Sequence, residues 1–391
     1  MRSARGVTIG IILILAIFVF IFFTMEDKGP AGAAVVATHP LPDPSSLKIV
    51  AMLNEAPGNI AVTPQGRIFL SLHQFFSPHV RVVELVNGEP VHYPTAAWAS
   101  APNQDSGVGL QAVLGIQSDP DGVLWMLDNG GDSSTPKLVA WDTVHEKLVH
   151  SFSLPKPEGV GYSFLNDLAV DPKHGLIYIT DAAGDLQSAL LIVDMETGAM
   201  KRVLVGHESV LADQNVTIEF ETGRTVTRIG PGGGVEEWKV PVDPITIDAS
   251  YDWLYYGPMH GTSLYRVRTS DLAEVFAGKR TEESLEKRVE KYGPKAPCDG
   301  ITMDADGNIY ITDIGNAAVG VLDTTDKYRI LYRDPSLLDW VDGLANGADG
   351  YIYGTVNKLH RSAMLSGGTN SATPPFYVVR FPALGKTAPG R

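Results

Sequence analysis

CDGITMDADGNIYITDIGN, residues 298–316, is the unit that this chain repeats. It reads as a short apolar strand (Ile301 to Met303), a tight Asp304-Ala305-Asp306-Gly307 turn and a second strand (Ile309 to Thr312). Period-2 alternation on either side of an Asp/Gly turn is a strong hairpin signal. Val319 to Asp323 and Tyr328 to Arg333 extend it to a four-stranded antiparallel meander. One such sheet cannot bury both faces, so it needs copies of itself to pack against.

The copies are present. Asn59 to Gly66 runs into Arg67 to Leu70, Gly115 to Gly122 into Val123 to Met126, and Asp167 to Gly175 into Leu176 to Ile179. Ile245 to Ser250 runs into Trp253 to Tyr256, and Gly343 to Gly350 into Tyr351 to Tyr353. The turn residues fall at Gly66, Gly122, Gly175, Tyr251, Gly307 and Gly350. Their spacing is about that of a propeller blade, roughly 40–50 residues with some loop growth. The expected fold is therefore all-β, a six-bladed β-propeller of four-stranded antiparallel blades. Leu47 to Leu53 and Phe376 to Phe381 are lone strands at opposite ends of the chain. Paired in one blade, they close the ring and remove two exposed edges.

This divides the chain into a signal peptide or membrane anchor (1–28), a linker (29–46), the propeller (47–385) and a tail (386–391). Val7 to Phe23 is apolar apart from Thr8 and Gly10 and follows Arg2 and Arg5. That pattern fits an uncleaved anchor with the propeller outside the cytoplasm, periplasmic or secreted. Two stretches exceed the blade pattern. One, His207 to Val240, holds a hairpin (Val216 to Phe220, Arg224 to Ile229) and a Gly230 to Gly234 loop. The other, Thr281 to Tyr292, reads as a helix capped by Thr281. Both are read as insertions between blades, where binding walls are commonly placed. The net charge of −14 argues against a nucleic-acid partner and permits cationic ligands. With Cys298 as the single cysteine, an intramolecular disulfide and a zinc–thiolate cluster are both excluded.

Equivalent residues of the repeats lie at equal height around the channel. Just before the leading position of each inner strand stand Gly58, Leu114, Asn166, Asp243, Asp299 and Asp342. The second strands end at the same mouth with His73, Asp128, Asp181, His260, Asp313 and Asn357. Carboxylates gathered in a concave site repel one another unless something cationic sits among them. The candidate ligand-binding residues are Asn166, Asp167, Asp181, Asp299, Asp313 and Asp342. Oxygen donors without thiolates favour calcium as the candidate metal, with Asn166, Asp243, Asp299 and Asp342 as its ligands. Against this stands the ordinary role of Asp at a turn, which accepts backbone N–H groups. His73 and His260 are the candidate general bases. Trp98, Tyr162, Tyr256 and Phe376, at blade ends, are candidates to box a planar cation or simply to pack. Serine-hydrolase, zinc-protease, P-loop and dinucleotide-binding motifs are absent.

Leu254-Tyr255-Tyr256-Gly257-Pro258-Met259 with Ser263 to Val267 resembles a signature segment of the yellow/major royal jelly protein family. Asn166 to Asp171 before Tyr178-Ile179-Thr180-Asp181, and Lys295 to Asp313 leading to Leu338 to Asp342, agree with it. The resemblance spans Pro57 to Phe381 and implies a six-bladed propeller. It also implies amine binding or an isomerisation like that of dopachrome, although the family's paired cysteines are missing here. The chain is similar as well to calcium-dependent lactonases of the gluconolactonase/regucalcin type. Asn166 and Asp299 sit in contexts like two of those enzymes' metal ligands, and Glu55 is a candidate for their early glutamate. Asp167 and Cys298 stand where that pattern has Gly and Pro.

Three functions are thus expected to compete. The first is an extracytoplasmic propeller that binds a small cationic or aromatic ligand at the acidic mouth and isomerises it if it is an enzyme. The second is a calcium-dependent lactonase, and the third a non-enzymatic scaffold whose protein partner docks on the two insertions.

Overall fold

Six four-stranded antiparallel sheets follow one another around a ring in the computed structural model, which describes residues 41–103, 107–156, 160 and 163–390. The expected membrane anchor, most of the linker and Tyr162 lie outside the described residues. The inner strands, from blade 1 to blade 6, are Pro57–Val62, Val113–Ser118, Leu165–Asp171, Val242–Ile247, Cys298–Met303 and Val341–Asn346. Each blade runs outward from its inner strand. Burial falls in the same direction: Val113–Ser118 is buried throughout, whereas the outer strand Glu89–His92 is wholly exposed.

Closure is as the sequence predicts. Lys48–Leu53 is the outermost strand of blade 6 and pairs antiparallel with Phe376–Pro382, Leu53 opposite Phe376 and Lys48 opposite Arg380. The hairpin turns also match. Gly66, Gly122, Gly175, Tyr251, Gly307 and Gly350 all have positive φ, between 57° and 94°. Glycine suits that left-handed conformation; Tyr251 adopts it at a steric cost.

The core lies between blades. Tyr178, Ile192, Leu254 and Tyr256 pack blade 3 on blade 4. Leu70, Val83, Tyr353 and Val378 pack blade 1 on blade 6.

The insertions differ from expectation. Only Glu282–Glu286 of the predicted 281–292 helix is helical, capped by Thr281 accepting from Ser284 N–H. Glu290–Pro294 is instead the fourth strand of blade 4, because pairing with Ser263–Arg268 outweighs local propensity. A second helix, Thr269–Phe276, precedes it, so this excursion lies within blade 4 and not between blades. Residues 207–240 do lie between blades 3 and 4. There the Gly230 to Gly234 loop turns a two-stranded hairpin, Thr227–Ile229 with Val235–Glu237. The expected turn near Glu221 survives as one bridge, Glu219 to Thr225.

The C-terminal segment is no loose tail. Gly385 N–H donates to Asp304 (3.0 Å), Ala388 N–H to Asn346 (3.2 Å), and Gln117 donates to the Gly390 carbonyl (3.1 Å). These contacts carry it from blade 5 past blade 6 to blade 2.

Candidate ligand site at the channel mouth

A regular strand alternates its side chains between two faces, so neighbouring residues cannot point the same way. All six inner strands break that rule at one height. Their register shifts across residues 58–59, 114–115, 166–167, 243–244, 299–300 and 342–343. A bulge re-aims side chains and frees backbone N–H groups. Hydroxyls on the second strands take up several of these. Ser71 accepts from Asn59 N–H (2.9 Å), Thr180 from Asp167 N–H (3.1 Å), Thr312 from Gly300 N–H (2.9 Å) and Thr355 from Gly343 N–H (3.1 Å).

The bulges gather Asn59, Asn166, Asp167, Asp243, Asp299 and Asp342 around one cavity of about 670 Å³, including its open mouth. His73 joins them. Phe75, Phe164, Trp238, Val240, Met259, Leu359 and Leu365 supply the apolar wall. Trp238 and Val240 come from the 207–240 insertion, which packs Ile218, Phe220 and Val226 against Trp340, Leu359 and Leu365.

Each carboxylate has at least one fixed donor, and Asp167 has a second in Leu168 N–H (2.8 Å). Trp340 Nε1–H donates to Asp299 Oδ2 (2.6 Å) and Asn357 Nδ2–H to Asp342 Oδ2 (2.5 Å). Asn59 Nδ2–H donates to Asp167 Oδ1 (2.9 Å), and Asn166 donates to Asp243. Trp340 holds its indole there from a left-handed backbone, φ 68°. For a bulky residue this is strain that the surroundings must sustain. Trp340→Phe removes the one donor while keeping the ring in the core. A loss of about 1–3 kcal/mol in urea unfolding is expected, since Asp299 is then a buried acceptor without its partner.

Burial pushes the Asp167 and Asp342 carboxyls up to about 7. The Asp342 charge adds to the rise at Asp167, and the Leu168 N–H and Asn59 amide oppose it. Asp243 and Asp299 lie well above the usual range, first through desolvation and then through the neighbouring carboxylates. One protein cation offsets this. Buried Lys295 draws Asp243 down, while its ammonium donates to the carbonyls of Gly261 (2.8 Å) and Ala296 (3.2 Å). His73 Nε2 is 3.9 Å from Asp342 Oδ2. Burial drives the imidazole down to about 3, so His73 is neutral and the contact is no ion pair. His73 Nδ1 accepts from Phe75 N–H, which places the ring proton on Nε2, facing Asp342.

The other expected residues sit elsewhere. Asp181 accepts from Phe164 N–H (3.0 Å) and pairs with Arg202 (2.8 Å). Asp313 accepts from Tyr328 OH (2.6 Å) and from the Asn316 amide. His260 Nδ1 accepts from Val240 N–H (2.9 Å). None of the three lines the cavity; they tie connecting segments to their own blades, as the turn-Asp reading allows. Asp128 does the same with Gln111 and Ala112 N–H. Glu55 bonds to His79 (2.7 Å) and lines a different groove. Tyr256 is buried with its hydroxyl on Ser209, Phe376 packs on Phe76, and Trp98 packs on Trp141. Cys298 is buried, and burial pushes its thiol up to about 11.

Asn59, Phe75, Phe164 and Trp238 are among the cavity residues that the repeat alignment did not single out. Asn59 occupies in blade 1 the place of Asp167 in blade 3, so a second aligned column would have found it.

No curated protein sequence matches the chain. Among solved structures it is similar to a calcium-binding regucalcin from Agrobacterium tumefaciens, with a TM-score of 0.50 at 12% identity, covering 88% of this chain and 98% of that one. A gluconolactonase from Xanthomonas campestris gives 0.50 at 11% identity, covering 86% of this chain and 89% of its own. A virginiamycin B lyase from Staphylococcus aureus gives 0.47 at 15% identity, covering 86% and 99%. At such identities the likeness is one of fold. The profile of the major royal jelly protein family matches residues 111–371, from the start of blade 2 into blade 6 and across more than half of the sequence, and the chain belongs to that family.

Proposed function

We propose that the protein binds a small organic cation with an aromatic or apolar portion in the channel-mouth cavity. The observation that carries this is the pairing of four carboxylates, Asp243 and Asp299 buried and Asp167 and Asp342 half-buried, with a wall that includes Phe75, Phe164 and Trp238. A cation relieves the mutual repulsion of the acids, and aromatic faces favour both a ring and a positive charge. Asp342 next to His73 further supports proton-transfer isomerisation of the bound ligand, because a carboxyl that titrates near 7 can give or take a proton at neutral pH.

Calcium fits the oxygen donors by chemistry but not by arrangement. Among the described residues no three acidic, histidine or cysteine side chains stand close enough to share an ion, and Glu55 is outside the cavity. No step is therefore routed through a metal.

The test is calorimetric titration with phenethylamine at pH 6 and pH 8, beside thermal melts with calcium and with EDTA. Cations favour ionised carboxylates, and two of these titrate near 7. Affinity is expected to rise about tenfold or more from pH 6 to pH 8. Amine at one hundred times its Kd should add about 2.7 kcal/mol of stability. No binding at either pH sinks the reading. A calcium-dependent rise in Tm that EDTA reverses would move the site to the metal.

A further inference from the structure

Beside the acidic cavity lies a second, open groove between blades 1, 2 and 3. Gln74, Arg81, Gln111, Asn129 and Ser163 line it, with Met364 on the far side. The two sites meet at Phe75 and Phe164, which line both and whose ring centroids are 6.0 Å apart.

The groove differs from the cavity in what its side chains offer. Asn129 is 8% exposed, and its Oδ1 is fixed by accepting from Gly131 N–H at 3.0 Å. That bond sets the amide's orientation, so Nδ2 is the free end. Among the described residues buried Nδ2 has no partner, and neither does buried Nε2 of Gln74. Arg81 donates to the Gln111 carbonyl (2.5 Å) and to the Pro78 carbonyl, and no carboxylate pairs with it among the described residues. The acid that lines the groove, Asp132, is exposed at its rim. Two donors without acceptors and an arginine without a counter-ion call for an oxygen anion. They are donors where the neighbouring cavity is built of acceptors.

We propose that this groove is a second subsite that takes a carboxylate of the same ligand whose cationic end enters the acidic cavity. The inference rests on the cation-binding reading of that cavity. Its ligand class is accordingly zwitterionic, with ammonium and carboxylate separated by several bonds, as in a short peptide with an aromatic first residue. Asn129, Gln74 and Arg81 hold the carboxylate, and the Phe75 and Phe164 rings lie under the stretch between the two charges.

The test compares three probes on the full chain by calorimetry: Phe-Gly-Gly, its C-terminal amide, and phenethylamine. The tripeptide reaches about 10 Å when extended. The free acid is expected to bind at least tenfold tighter than the amide. Asn129→Asp removes the donor and adds a like charge, so it should erase or reverse that preference. Gln74→Met should reduce the preference in the same direction, and a melt of each variant verifies folding. Equal affinity for acid and amide in the wild-type protein overturns the groove assignment while phenethylamine binding keeps the cavity reading intact. If none of the three probes binds, both readings fall together. A preference for the acid that survives both variants also overturns the assignment, since the carboxylate is then recognised elsewhere.

Discussion

Asp342→Asn is expected to stabilise the protein at pH 8 and to weaken cation binding by about a hundredfold. The first effect follows from linkage. In the unfolded chain the carboxyl ionises near its ordinary value; in the folded protein burial raises it to about 7. A raised carboxyl contributes most below its unfolded pKa, and that contribution is lost as the pH rises through 7. The wild-type protein without ligand should therefore melt higher at pH 5 than at pH 8. A rise from 3.8 to about 7 corresponds to roughly 4 kcal/mol as an upper bound for one isolated group. Neighbouring carboxylates titrate together, so roughly 2 kcal/mol is the expectation for this substitution. Asparagine keeps an oxygen to accept from the Asn357 amide, which holds Asp342 Oδ2 at 2.5 Å. It removes one charge that raises Asp167, Asp243 and Asp299. Tm at pH 8 should rise by several degrees, and the gap between pH 5 and pH 8 should narrow.

The same charge is what a cation would seek, so stability and binding are opposed at this position. Titration with phenethylamine at pH 8 reads the second effect. A variant that is both more stable and unable to bind places Asp342 in the ligand's field. A variant destabilised at pH 8 would mean that the carboxylate is compensated in the folded state, and the electrostatic account of the cavity would be wrong.

The ring itself was legible because repetition turns one sequence into six aligned copies. An Asp or Asn at one register, seen in Asn166, Asp243, Asp299 and Asp342, stands out only when the blades are stacked, and all four do line the cavity. Of the second column, His73 lines the cavity, whereas Asp128, Asp181, His260, Asp313 and Asn357 do not. Asp181 and Asp313 sit at the ends of second strands, where the chain must be tied down, and backbone or side-chain donors reach them first. Alternation could not show the bulges, because a bulge is a departure from alternation. That is why Asp167 and its counterpart Asn59 appear beside residues that a regular strand would place on the opposite face. The apolar wall was least legible. Trp238 arrives on a hairpin outside any repeat, and the strand Glu290–Pro294 was hidden under a sequence with good helical spacing.

Gly300→Ala should cost far more than the size of one methyl suggests. At the bulges, neighbouring inner strands approach so closely that a side chain on one would meet the backbone of the next. A Cβ on Gly300 would lie 2.4 Å from the Asp342 carbonyl oxygen and 3.3 Å from Gly343 Cα. The obstacle is main chain, held by its own pairing in blade 6, so it cannot swing aside as a side chain could. Blade 5 must then move outward or the Asp342 bulge must deform. Either change breaks the Gly300 N–H bond to Thr312 or the Gly343 N–H bond to Thr355. Overpacking of a close-packed site costs typically 1–3 kcal/mol and more where backbone must shift, so roughly 3–5 kcal/mol is expected here. Gly307→Ala is the matched control. Gly307 lies in the turn of the same blade with φ 94°, and its nearest neighbour to a new Cβ is a Thr324 methyl at 3.5 Å. It carries conformational strain without a clash and should cost about 1–2 kcal/mol. Urea unfolding of the two variants separates the effects. If Gly300→Ala proves no worse than Gly307→Ala, the inner strands have room to spread, and the tight ring that brings four carboxylates together is not enforced by the backbone.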